Sequence, residues 1–76
     1  MGKLAGIRAK DAIKAFERAG FSKISQKGSH IKMRRLREGK TEMIIVPSHK
    51  VLKEGTLRKG ILRAIGMSEE EFVHLL

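Results

Sequence analysis

The residues best suited to chemistry lie in one short patch, where Gly28-Ser29-His30 is followed by Lys32 and Arg34. An imidazole has an unperturbed pKa of about 6.5, so it can accept or donate a proton near neutral pH. Neighbouring cations favour its neutral form, and they can also bind a phosphodiester and stabilise developing negative charge. RNA cleavage by attack of a 2′-hydroxyl needs this combination. The alternative is an ordinary exposed histidine, and the residue types alone leave both open.

Two further histidines have weaker claims. His49 follows Pro47 in a segment that we interpret as a loop. Loops often carry function, so His49 is either a second proton carrier or a substrate-binding residue. His74 lies beside three acids near the C-terminus, and we expect it to be a solvated helix residue.

The sequence offers no metal or cofactor site that we can recognise. It has no cysteine, and neither His30 nor His49 has a carboxylate nearby in sequence. The run Glu69-Glu70-Glu71 is better explained as charge at a helix N-terminus. No glycine-rich nucleotide loop is present. We therefore expect no cofactor and no metal.

The charge of the chain points to a polyanionic partner. The 76 residues include 17 Lys and Arg against 8 Asp and Glu, a formal net charge of +9. Residues 1–66 hold all 17 cations against five acids, a formal +12. Lys and Arg gain affinity for nucleic acid through release of counterions, whatever the base sequence. Three Phe with no Trp or Tyr argue against recognition by base stacking.

The periodicity of apolar residues predicts a helix followed by three strands. Residues 7–19 carry a helical stripe that Gly20 should end, although Arg8 and Ala9 make poor caps. Strands are predicted at residues 21–27, 29–35 and 41–46, with a bend at Gly28 and a hairpin turn at residues 37–40. In the middle strand, Ile31 and Met33 should face the core. His30, Lys32 and Arg34 should face away from it.

The C-terminal third predicts two more helices after a loop at residues 48–55. Thr56 is expected to cap the first, Gly60 to allow close packing on the sheet, and Gly66 to end it. The residues expected on its buried face are Leu57, Ile61, Ala64 and Ile65. Ser68 and Glu71 predict a capping box for a short last helix.

This order predicts an α+β protein, a two-layer sandwich of the double-stranded RNA-binding-domain type, α-β-β-β-α with a short C-terminal helix. Residues 1–76 should form a single domain. We see no apolar run long enough to span a bilayer and no apolar signal-peptide core. The expectation is a cytoplasmic protein with no membrane partner.

Several patches together resemble one family. They are Gly20-Phe21, Gln26-Lys27-Gly28-Ser29-His30, Val46-Pro47-Ser48-His49, Gly55-Thr56-Leu57, Ile61-Leu62 and Glu70-Glu71-Phe72. In order and spacing the chain is similar to HicA (YcfA-like) mRNA interferase toxins over nearly its whole length. One departure is the start of the first helix, where Arg8-Ala9-Lys10 stands in place of a small polar cap.

The resemblance implies a ribonuclease that cleaves mRNA without the ribosome and so inhibits translation, together with a HicB-type antitoxin. It places the catalytic histidine at His30. We expect RNA contacts from Lys27, Ser29, Lys32, Arg34 and Lys50. Two alternatives stay open: a non-catalytic double-stranded-RNA-binding module on the same fold, and a structural or ribosome-associated protein.

Overall fold

The described part of the chain folds as two layers. A computed structural model describes residues 3–48 and 50–76. Its elements are α1 (Ala9–Arg18), β1 (Ser22–Lys27), β2 (His30–Arg37), β3 (Lys40–Pro47), a π-helical segment (Thr56–Leu62) continued by a 3₁₀ turn (Arg63–Ile65), and α2 (Glu69–Leu75). This order confirms the predicted α+β, α-β-β-β-α fold of the double-stranded RNA-binding type.

Helix α1 forms because its apolar residues recur on one face, and it ends at a glycine. Ala12, Ala15 and Phe16 are fully buried. No side chain caps its N-terminus, as the sequence predicted. At the C-terminus Gly20 adopts φ +102°, which costs little without a Cβ. The Gly20 N–H donates to Glu17 and the Phe21 N–H to Phe16, the two bonds of a Schellman motif.

Two tight turns fix the register of the sheet, whose order is β1-β2-β3 with antiparallel neighbours. Gly28-Ser29 joins the paired residues Lys27 and His30, with Gly28 at φ +60°. Glu38 and Gly39, at φ 52° and 77°, have the two positive φ angles of a type I′ turn. Strands β2 and β3 pair without interruption, whereas β1 carries a bulge between Lys23 and Ser25.

The core lies between the helices and one face of the sheet. Alternate residues of β2 and β3 point into it: Ile31, Met33, Ile44 and Val46. Phe16 lies at its centre, 5.8 Å from the Phe21 ring and 5.2 Å from the Phe72 ring. All three aromatic rings are therefore used for packing. The opposite face of the sheet carries no layer among the described residues.

The prediction for the second helix was wrong at its start. The residue at the N-cap position is Gly55, and no side chain makes a capping bond there. Helical geometry already begins at Glu54, and the Leu57 N–H donates to the Lys53 carbonyl. Thr56 therefore lies inside the first turn, where its hydroxyl cannot act as an N-cap.

The buried face of that helix also differs from the prediction. Leu57, Ile61 and Ile65 are buried as expected, but Ala64 is exposed and Leu62 takes its place in the core. The i→i+5 bonding of a π-helix widens each turn, so the core-facing residues shift from the α-helical spacing. Gly60 is exposed, and a Cβ there would meet nothing within 4 Å. It does not serve close packing on the sheet.

The last helix begins and the previous one ends as predicted. Gly66 adopts the left-handed conformation, with φ 65°. Ser68 and Glu71 form the capping box: the Glu71 N–H donates to Ser68 Oγ at 3.0 Å, and the Ser68 N–H donates to Glu71 Oε1 at 2.9 Å. The hydrogen bond from the Ser68 backbone N–H is the main cause that lowers the pKa of the Glu71 carboxyl, and the Ser68 side chain adds to it.

Arg35 joins the two layers at the far end of β2. Its side chain is only 9% exposed, and its guanidinium lies 4.6 Å from the centre of the Phe21 ring. Nε donates to Glu42 Oε1 at 2.7 Å, and Nη1 donates to the Ala19 carbonyl at 3.0 Å. Nη2 is buried with no partner among the described residues. Glu42 is thus the carboxylate that neutralises this cation.

We expect Glu42→Gln to lower the free energy of unfolding by about 2–3 kcal/mol, because it leaves a nearly buried guanidinium without its counter-charge. The loss should be below that of a fully buried pair, since the Glu42 side chain is 24% exposed. Thermal unfolding measures it, with Glu17→Gln as a control at an exposed acid of α1. Equal melting temperatures for the two variants would contradict the role given to this pair.

Candidate nucleic-acid interface

The exposed face of the sheet carries the residues that the sequence singled out. Because Ile31 and Met33 face the core, the pleat turns His30, Lys32 and Arg34 to the other side of β2. His30 and Arg34 are exposed and Lys32 is half-buried. We call this side the open face. Neighbouring side chains along it are roughly 7 Å apart.

His30 lies in a depression to which all three strands contribute. The depression has a volume of about 450 Å³ and is lined by Ser25, Lys27, His30, Lys32 and Ile45. The register explains the grouping, since Lys27 is opposite His30, and Ser25 and Ile45 flank Lys32. Cross-strand neighbours have Cβ atoms about 5 Å apart. The side chains of one histidine and two lysines therefore line the same space.

The turn before His30 holds it at the rim of this depression. Gln26 Nε2 donates to the Gly28 carbonyl at 3.1 Å, and the Ser48 N–H donates to the Ser29 carbonyl at 2.6 Å. The second bond connects the turn to the chain that leaves β3. His30, as the first residue of β2, is thus held by the turn, by Lys27 and by its other partner, Pro47.

The cations of the open face have no acidic partners in the described ranges. The ion pairs among the described residues all involve other cations. They are Lys3–Glu70, Arg8–Asp11, Arg35–Glu42, Arg58–Glu54 and Arg58–Glu69. The hydrogen bond that Lys3 donates lowers the pKa of the Glu70 carboxyl, and the hydrogen bonds that Arg58 donates to Glu69 and Glu54 raise the pKa of Arg58. Six of the eight acids are engaged in these pairs or in the capping box, so the open face keeps a positive potential that attracts anions.

The other residues predicted to contact RNA lie outside the depression. Arg34 is on the same face but lines a separate hollow of about 320 Å³ with Ser22 and Thr41. Ser29 is exposed in the turn. Lys50 lines a hollow of about 610 Å³ at the start of α1, beside Arg8 and Lys10. The structure therefore brings together Lys27, His30 and Lys32, and spreads the remaining cations around them.

The prediction for His49 stays open, because His49 lies outside the described residues. His74 is exposed on α2, as expected.

Two residues of the depression were missed by sequence reasoning. Ser25 reaches it because it pairs with Lys32 in regular register with the Lys27–His30 pair, so all four side chains share one face. Ile45 reaches it because burial of Ile44 and Val46 turns Met43 and Ile45 to the open face, and the run of apolar residues in β3 does not by itself show which pair is buried. Ile45 gives an otherwise cationic depression an apolar wall.

The chemistry open to this arrangement is proton transfer beside a bound anion. The His30 side chain lines the same depression as Lys27 and Lys32, two residue types that can bind a phosphate. Within residues 3–48 and 50–76, no group of three or more His, Cys, Asp or Glu side chains is placed to hold a metal ion. In the same ranges, no helix has the length and apolar character needed to cross a membrane.

Comparison with known proteins gives the family. A search of curated protein sequences gave no match. A family model described as "HicA toxin of bacterial toxin-antitoxin" matches residues 9–67, from the start of α1 to the residue before the last capping box. The match covers more than half of the chain and includes every strand and the His30 depression. The chain therefore belongs to the HicA family of toxins of bacterial toxin–antitoxin systems.

Proposed function

We propose that this toxin is an endoribonuclease that cleaves mRNA and so inhibits translation, with His30 as the catalytic residue. The observation that carries the proposal is the depression where His30 stands between Lys27 and Lys32 on a sheet face without acids. Family membership supports a toxin role, and the fold supports RNA as the partner.

The proposed reaction is an internal transfer of the phosphodiester. The ribose 2′-oxygen attacks the adjacent phosphorus, a new P–O2′ bond forms, and the P–O5′ bond breaks. The 2′-hydroxyl loses a proton and the departing 5′-oxygen gains one, which leaves a 2′,3′-cyclic phosphate and a 5′-hydroxyl. His30 carries one of these protons, and a second group, with His49 as the candidate, carries the other. Lys27 and Lys32 bind the phosphate oxygens.

RNA binding in this proposal depends on the backbone of the substrate. Arg34 contacts a phosphate further along β2, Ser29 contacts one at the turn, and Lys50 contacts one near the start of α1. These groups lie at three separate places, two on β2 or its turn and one beside α1, so an RNA that contacts them all must be several nucleotides long. Such contacts recognise phosphate and not base sequence.

The proposal also covers the partner and the setting. Toxins of this family act with an antitoxin, and we propose a HicB-type protein that covers the open face through acidic and apolar side chains. Residues 1–76 act as a single domain in the cytoplasm. No cofactor takes part.

A non-catalytic double-stranded-RNA-binding module is the second candidate, because that fold binds RNA without catalysis in many proteins. Incubation with end-labelled RNA separates the two. A binder shifts the RNA on a native gel and leaves its length unchanged, whereas a nuclease shortens it.

We expect His30→Ala to reduce the cleavage rate on mRNA by about 10²- to 10⁴-fold, the usual contribution of a positioned acid or base. RNA affinity should change little, because Lys and Arg provide the binding charge. The fold should persist, since His30 is exposed. His74→Ala is the matched control at an exposed histidine of α2. A His30→Ala rate within a few-fold of the wild-type rate would make His30 a structural residue.

His49→Ala completes this series. A loss equal to that of His30→Ala would identify His49 as the second proton carrier, and a loss of a few-fold would limit it to substrate binding.

RNA affinity should fall steeply with salt, and Arg34→Gln should lower the slope of log K against log salt by about 1. Lys59→Gln removes the same charge from an exposed position of the π-helical segment, in the layer opposite the open face, and should leave the slope unchanged. Equal slopes for wild type and Arg34→Gln would remove Arg34 from the interface.

Cleavage should continue in EDTA, because two lysines and none of the described acids line the depression, and their positive charge would repel a metal ion. The measurement is the rate of RNA cleavage by purified toxin before and after dialysis against EDTA. Loss of activity that one specific divalent ion restores would contradict this prediction.

A further inference from the structure

The two edges of the sheet differ in how they are protected. The β1 edge carries a bulge at Lys23–Ser25, a feature that hinders pairing with another strand. Strand β3 has eight residues in continuous register with β2 and no bulge. Among the described residues, no backbone hydrogen bond outside the β2–β3 ladder reaches β3. Its outer edge is therefore long, regular and unpaired.

The register shows which backbone groups this edge presents. In a hairpin closed by a two-residue turn, the residues flanking the turn exchange hydrogen bonds, and bonded pairs then alternate along the ladder. Arg37 and Lys40 flank the turn, so Lys40, Glu42, Ile44 and Val46 direct their N–H groups toward β2. Thr41, Met43 and Ile45 direct theirs outward, and Pro47 has none to direct.

The residues with outward N–H groups also carry the apolar side chains of the open face. Met43 is 48% exposed and Ile45 is 51% exposed. Each stands opposite a cation of β2, since Met43 pairs with Arg34 and Ile45 pairs with Lys32. An exposed, regular and apolar edge is a template for pairing with another chain.

We propose that the antitoxin binds this toxin by adding a β-strand to the outer edge of β3. The inference rests on the toxin–antitoxin family and deepens the proposed inhibition of the open face. Charge complementarity defines the occupant: a strand whose open-face residues alternate between apolar side chains, which pack on Met43 and Ile45, and acids. Backbone hydrogen bonds supply affinity in this mode, and alternate side chains supply specificity.

The geometry connects this strand to inhibition. Neighbouring strands are about 4.8 Å apart, so an added strand would lie about 10 Å from β2. Glutamate side chains can span much of that distance across the β3 side chains toward Lys32 and Arg34. The added strand would also extend the sheet next to Ile45, which lines the His30 depression, and so restrict access of RNA to it.

Amide hydrogen exchange tests the proposal on the full-length toxin with the purified product of the adjacent gene. We expect the Thr41, Met43 and Ile45 amides to become protected by roughly a hundredfold or more in the complex. A complex in which these amides exchange as in the free toxin overturns the edge assignment and leaves the partnership intact. Failure to form a complex overturns both. Protection in the toxin alone that grows with concentration assigns the edge to a second copy and also overturns the proposal.

A pair of variants at one position gives a second test. Met43→Pro removes the outward N–H and leaves pairing with β2 possible, whereas Met43→Ala removes only the side chain. We expect the proline variant to bind the antitoxin at least about tenfold more weakly than the alanine variant. Thermal unfolding checks that both are folded, and Thr41→Pro repeats the test at the next outward amide. Equal affinities of folded proline and alanine variants would overturn the proposal.

Discussion

The pleat of the central strand is the constraint on which the rest of this structure depends. Side chains of a strand alternate between faces, so burial of Ile31 and Met33 forces His30, Lys32 and Arg34 onto the other side. A slip of one residue would bury three polar or charged groups and expose the core. The hydrophobic effect that stabilises the sandwich therefore also fixes which side chains lie on the open face. No additional interaction is needed to place the residues of the proposed chemistry there.

Register errors are excluded by the two hairpin turns and by Arg35. The two-residue turns at Gly28-Ser29 and Glu38-Gly39 each allow only one register between the strands that they join. Arg35 lies on the core side of β2, where its guanidinium reaches Glu42 on β3 and the Ala19 carbonyl at the end of α1. The adjacent residues Arg34 and Arg35 thus have different roles. Arg34 keeps its charge available to an anion, and Arg35 has its charge neutralised between the layers.

Charge is separated within the fold. The acids of the C-terminal third pair with Arg58 and Lys3 or cap α2, so they lie away from the open face. The open face then presents Lys27, Lys32 and Arg34 where the backbone of a polyanion could run. The same surface contains Met43 and Ile45. These apolar side chains contribute little to binding the phosphate backbone of a nucleic acid, whereas a protein partner can bury them.

The sequence by itself determined the order of elements, the capped helix ends at Gly20, Gly66 and Ser68, and the outward face of β2. Each follows from a local rule. Apolar periodicity gives the elements and the face of β2, a glycine that can adopt a positive φ angle ends a helix, and the capping box of Ser68 and Glu71 begins one. Tertiary structure alone decided that Ser25 and Ile45 line the His30 depression, because their positions depend on which residues pair between the strands. It also decided the π-helical geometry that exposes Ala64 and buries Leu62, because packing against the core outweighs the local preference for an α-helix.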